Sequence, residues 1–148
     1  MNKSEIKARC VQKLEAQLED LKSIMADVQE SSNNETKSTA GDKHDTARAQ
    51  AQNEVARIGS QLLNVERMLL ELMKVSTESD DFIKCGSFVV TTCGRFYLSV
   101  SLGKLSYEDK EFFAVSLQSP IGQVLLGKTK NDTFLLPNGN QCSVTEIW

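Results

Sequence analysis

Two carboxylates stand three residues apart in the stretch Gly41-Asp42-Lys43-His44-Asp45-Thr46-Ala47. On a helix that spacing puts both acids on one side of the cylinder. Carboxylate oxygens suit hard cations, and Mg²⁺ is usually held by one or two carboxylates together with phosphate and water. The same two acids also have a plain structural use. Asp42 can cap a helix, with Asp45 at the third helical position in a capping-box-like arrangement. His44, the only histidine, lies between them, and a solvated position is enough to explain it. Lys37, Lys43 and Arg48 flank the stretch as solvated charges within reach of any phosphate brought there.

The elements that must position these acids are legible as a mirror pattern. Upstream the apolar residues are Val28, Met25, Leu21, Leu18, Leu14 and Val11; downstream they are Ala51, Val55, Ile58, Leu62, Val65 and Leu69. Both series step by alternating threes and fours, the seam of a coiled coil. Paired in order outward, they keep one centre near Ala40. The pattern predicts an antiparallel helical hairpin with the acidic pair at its far end. From Val11 to Ala40 that rod is roughly 43 Å long. Ser4 is the expected cap of the first helix, with Glu5 in its first turn. The helix runs through Val28; the polar segment Glu30–Lys37 fits a frayed end, a loop or further helix equally. Ser38-Thr39-Ala40-Gly41 supplies turn chemistry. The second helix runs to about Val75, with Gly59 placed off the seam.

Ser76-Thr77-Glu78-Ser79-Asp80-Asp81 is a polar linker, so the expected domains are 1–75 and 76–148. All nine aromatic residues lie at Phe82 or beyond, where a compact core needs large side chains. Ser87–Thr92 reads as a strand, Cys93-Gly94 as a turn, and Phe96–Leu102 alternates as a half-buried strand should. Glu111–Leu117 is a third strand. Ser119-Pro120 reads as the cap and first residue of a short helix that ends near Leu126, with Gly127 as its stop. Thr133–Leu136 and Cys142–Ile147 pair through Asn138-Gly139, a strong hairpin signal. The fold class is α+β: a coiled-coil hairpin, then an antiparallel sheet with one short helix.

Net charge is −3, without a polybasic run. That argues against a protein that grips nucleic acid through its phosphates. Cys10, Cys85, Cys93 and Cys142 form no C-x-x-C pair, and with one histidine there is no zinc spacing. They are expected as reduced, mostly buried thiols in a cytoplasmic protein. No stretch approaches the ~18 apolar residues of a membrane span.

The segment Ser119-Pro120-Ile121-Gly122-Gln123-Val124-Leu125-Leu126-Gly127-Lys128 resembles the S-P-L-x-x-A-L-L-G-K segment of the Gre transcript-cleavage factors. Gly41-Asp42-x-x-Asp45-x-Ala47 is similar to their G-D-x-x-E-N-A tip, and the order of elements is theirs: helical hairpin, then FKBP-like sheet with one helix. The resemblance implies a bacterial, monomeric transcription factor that is not itself an enzyme and has no cofactor of its own. It implies docking of the globular part on core RNA polymerase at the secondary-channel rim, through Ser119, Pro120, Ile121 and Gly122. It implies a hairpin reaching the polymerase active site and the nascent RNA 3′ end, where Asp42 and Asp45 help hold Mg²⁺ and orient water, so that backtracked RNA is cleaved. Asp45 stands where the family usually has Glu, and Gln118 where it commonly has an acid.

Two other readings stand beside this one. Asp42-x-x-Asp45-x-Ala47 also matches the tip of DksA-like regulators, which act on initiation through the same channel but carry a cysteine cluster that this chain lacks. An FKBP-like prolyl isomerase or peptide-binding holdase would instead need an apolar, aromatic-lined pocket. Phe88, Phe96, Tyr97, Phe112, Phe113 and Trp148 are its candidate lining, in competition with the core.

Overall fold

Asn2, and not Ser4, opens the first helix: its side-chain oxygen accepts from Glu5 N at 3.3 Å, and its carbonyl accepts from Ile6 N. Asparagine caps as well as serine does, and the first usable cap in the chain takes the position. The computed structural model describes residues 1–36 and 41–148, with the side chains of 32–36, 41–45 and 47 outside that description. Helix α1 spans Lys3–Thr36 and α2 spans Gly41–Met73. Helix α1 therefore continues through the polar 30–36 segment. Good helix formers upstream carry it, since propagation costs little once a helix is nucleated. The expected turn at 38–40 lies outside the described residues, as does Lys37.

By internal contacts the chain forms two compact units, Lys13–Leu69, and Met1–Gln12 together with Leu70–Trp148. In the first unit the mirror pattern is realised as burial. Leu14, Ile58 and Val65 are buried, and Leu18, Leu21, Met25, Val28, Ala51, Val55, Leu62 and Leu69 are half-buried, whereas Glu15, Glu19, Lys22, Glu66 and Arg67 are exposed. Gln17 and Leu21 share one groove with Gln61 and Val65, so the two helices lie side by side there. Gly59 is not off the contact surface: a Cβ there would meet the Met25 methyl at 3.8 Å.

The other unit holds a six-stranded sheet. Its strands are β1 (Phe88–Thr91), β2 (Gly94–Ser99), β3 (Gly103–Tyr107), β4 (Lys110–Ser116), β5 (Thr133–Leu135) and β6 (Gln141–Ile147), in the order β3-β4-β2-β1-β6-β5. All neighbours are antiparallel except β2 and β4, which run parallel. The parallel pair follows from β3, which the sequence pattern does not announce. Its residues, Gly-Lys-Leu-Ser-Tyr, alternate only weakly. A two-residue turn at Glu108 and Asp109, both at positive φ, joins it to β4. Glu108 is not the glycine, asparagine or aspartate that such turns favour.

Helix α3 (Pro120–Leu125) covers one face of this sheet. The core there is Ile83, Val89, Phe96, Leu98, Leu125, Phe134, Cys142 and Val144. The opposite face carries Phe88, Tyr97 and Phe112, whose rings meet edge to face. Root residues of α1 are tied into the same unit. Lys3 Nζ donates to the carbonyls of Glu78 (2.6 Å) and Trp148 (3.2 Å), and Lys7 Nζ to those of Met73 and Val75. Burial lowers the Lys3 pKa, with Lys84 adding to that effect and Asp80 opposing it.

The expectation of four reduced thiols is corrected. Cys93 and Cys142 form a disulfide with Cα atoms 5.8 Å apart, within the usual range. Thr92 N donates to the Ser143 carbonyl and Ser143 N to Thr92 Oγ1, so the β1–β2 turn is laid directly against β6. That pairing spans 49 residues and leaves no local spacing to read. Cys10 is buried and Cys85 exposed. Among the described residues, no helix is long and apolar enough to cross a membrane.

Candidate functional site

The acidic stretch lies at the start of α2. Because the helix opens at Gly41, Asp42 is its second residue and Asp45 its fifth. Asp42 thus belongs to the first turn and is not the residue ahead of it, which corrects the cap assignment. The directions of the Asp42 and Asp45 side chains, and those of Lys43 and His44, lie outside the described residues. Arg48 is exposed. Among the described residues, no cluster of three or more metal-ligating side chains occurs.

The second set of residues, Ser119 to Gly122, is described in full. Ser119 is extended, and its Oγ accepts from Gly122 N at 3.0 Å while donating to the Ser116 carbonyl at 2.7 Å. One hydroxyl therefore caps α3 and ties it to the end of β4. Pro120 takes the first helical position, where its missing N–H costs nothing. Leu126 N returns to the Gly122 carbonyl, and Gly127 follows at positive φ, as the stop signal predicts. The C-terminal end of α3 is fixed by Gly127 N to the Ile83 carbonyl (2.7 Å) and Ile83 N to the Lys128 carbonyl (2.8 Å).

These four residues are not equally available to a partner. Pro120 is exposed, Ser119 and Ile121 are half-buried, and Gly122 is buried. A Cβ on Gly122 would come within 2.1 Å of the Ser116 carbonyl oxygen and 3.1 Å of the Leu117 Cα. The role of Gly122 is to let α3 approach the strand. The sequence pattern missed two exposed apolar neighbours. Leu126 is 49% exposed and Phe82 is 45% exposed, the latter bridged to Thr129 beside the end of α3. Each adjoins a loop former, Gly127 or Asp81, which was the available signal. Asp132 holds the following turn by accepting from Thr129 N and Oγ1, and these bonds lower its pKa.

The aromatic residues considered for an isomerase pocket separate. Phe96 and Tyr97 are buried, Phe113 is exposed and stacks on Phe96, and Phe88, Phe112 and Trp148 line a groove on the sheet face away from α3.

No family model matches this chain, and no curated protein matches it. Solved structures do. The chain is similar to GreA factor homolog 1 (Gfh1) of Thermus thermophilus, at 22% identity over 93% of this chain and 94% of that one, with a TM-score of 0.37. It is similar to a further Gfh1 structure, described as a transcription factor, at 22% identity over 93% and 92%, with a TM-score of 0.40. It is also similar to Thermus aquaticus Gfh1, at 23% identity over 92% of each chain, with a TM-score of 0.36.

Proposed function

We propose that this protein binds core RNA polymerase and enters its secondary channel, placing Asp42 and Asp45 at the polymerase active site to stimulate cleavage of backtracked RNA. The observation that carries the reading is the Ser119–Lys128 segment. It combines a Gre-like sequence with a capped, strand-anchored helix that presents Pro120 to solvent. The α1–α2 hairpin in front of it supports the same reading, with two acids in the opening turns of α2. Two carboxylates are a partial donor set for Mg²⁺ and leave room for phosphate and water. Held by such acids in a two-metal phosphodiester site, Mg²⁺ would supply polarisation of the phosphoryl oxygen and activation of water. The part of Asp42 and Asp45 is to supply oxygens and orient the attacking water, so the protein lends groups to a reaction that the polymerase performs. The 34 residues of α1 give it a length of about 51 Å, enough reach for a buried site.

Docking is tested by Pro120→Asn, measured as affinity for core polymerase. Binding should weaken while the melting temperature stays close to that of the parent, since Pro120 is exposed. Equal affinity would remove this surface from the reading.

Asp45 in place of the family's usual Glu favours a second reading, regulation of initiation in the manner of DksA. The two separate on Asp45→Glu. A cleavage factor keeps or gains activity, because the longer arm restores the reach of the Gre-like pair. A regulator of initiation shows no cleavage and loses its effect on promoter complexes.

A further inference from the structure

We propose that the Cys93–Cys142 bond is a reversible thiol–disulfide switch that sets how firmly the β5–β6 hairpin, and through it α3, is held to the sheet. Residues 141–143 of β6 pair with β5, an edge strand. The ladder between β6 and β1 begins only at Val144, opposite Thr91, where its register shifts. Beyond that irregularity the β1–β2 turn meets β6 through the Thr92–Ser143 hydrogen bonds and the disulfide. Phe134 and Cys142, paired within the hairpin, belong to the same apolar cluster as Leu125 of α3, with Ile121 and Val124 packed on it. The bond therefore fastens part of the floor on which α3 rests.

Both redox states suit this site. Cys93 is exposed and Cys142 is 2% exposed, so an incoming thiolate reaches the bond from the Cys93 side. A dithiol reductant attacks Cys93 Sγ; the S–S bond breaks, and its electron pair leaves on Cys142 Sγ, which takes up a proton. The reductant's second thiolate then attacks its own sulfur in the mixed disulfide. Cys93 is released and protonated, and the reductant leaves as a disulfide. A disulfide oxidant reverses both steps. Reduced Cys142 is a small apolar side chain within an apolar cluster, and reduced Cys93 is solvated. The Thr92–Ser143 hydrogen bonds do not involve sulfur, so the reduced chain stays folded. What it loses is a cross-link between residues 49 apart, which lets the hairpin open locally more often. The switch follows from the sheet alone; its use in regulating docking rests on the polymerase reading.

The full chain is equilibrated in dithiothreitol buffers of graded oxidised-to-reduced ratio, and amide hydrogen exchange is read segment by segment. Reduction should speed exchange at least about tenfold in residues 133–143 and 121–127, and leave residues 96–99 of β2 unchanged. Reoxidation should restore the slow rates. Cys93→Ser, at an exposed position, should exchange fast at every ratio. Cys85→Ser should respond as the parent does. A bond that resists every ratio, global unfolding on reduction, equal exchange in the two states, or a redox response that persists in Cys93→Ser would overturn the proposal. Affinity for core polymerase should be lower for the reduced chain. Equal affinity alongside the exchange difference would overturn the regulatory use, whereas no binding in either state would count against the polymerase reading and not against the switch.

Discussion

Gly122 and Tyr107 show how single residues set local geometry. At Gly122 the Ser116 carbonyl oxygen leaves no room for a methyl group, and the obstacle is backbone that cannot swing aside. Gly122→Ala should therefore destabilise the protein by about 1–3 kcal/mol, the range for overpacking a close contact. Polymerase affinity should fall with it, because α3 must lift off β4. A melting curve and a binding measurement together check this. An unchanged melting temperature would mean that α3 seats differently. Tyr107 is held by its hydrogen bond to Glu5, with Glu108 also close, and its pKa is pushed up to about 12. Because the folded value lies above the unfolded value of 10.0, the contact's stabilisation is complete below pH 10 and is lost as pH rises toward about 12. The other tyrosine, Tyr97, is buried and shifted further in the same direction. Absorbance titration should then show almost no tyrosinate at pH 10 in the native protein. Glu5→Gln should move one tyrosine back toward the ordinary value, and a titration unaffected by that change would place Tyr107 elsewhere.

At the scale of elements, the hairpin seam carries the first unit, and burial is concentrated at Leu14, Ile58 and Val65. Leu14→Ala should cost about 2–5 kcal/mol by denaturant unfolding, the range for a fully buried leucine. A near-neutral result would separate the helices or shift their register. This seam was the most legible part of the sequence, because a heptad repeat mirrored about one centre has few other solutions. Helix α3 was legible for a different reason: Ser119, Pro120 and Gly127 each have a strong positional meaning at helix ends. Strand β3 was not legible. Its pairing to β4 is enforced by the tertiary structure, and its turn places Glu108 where a sequence pattern expects glycine, asparagine or aspartate. The Cys93–Cys142 bond was equally hidden, since only the juxtaposition of the β1–β2 turn with β6 brings the two residues together. Of the candidate site, the identity of the residues was readable but their exposure was not. Nothing in the sequence distinguishes the exposed Pro120 from the buried Gly122.

At the scale of the whole molecule, the proposed activity divides between two places in the chain. In that proposal residues 119–122 are the attachment and Asp42 and Asp45 the chemistry. Substitutions at one should leave the other's readout intact, whereas a structural role for the acids would couple the two through stability. The decisive measurement is the rate at which stalled, backtracked elongation complexes cleave their RNA when saturated with this protein. The account predicts a clear acceleration by the parent protein, abolished by Asp42→Ala while affinity for polymerase stays close to normal. No acceleration at saturating occupancy, or full acceleration from a protein in which both Asp42 and Asp45 are alanine, would contradict it.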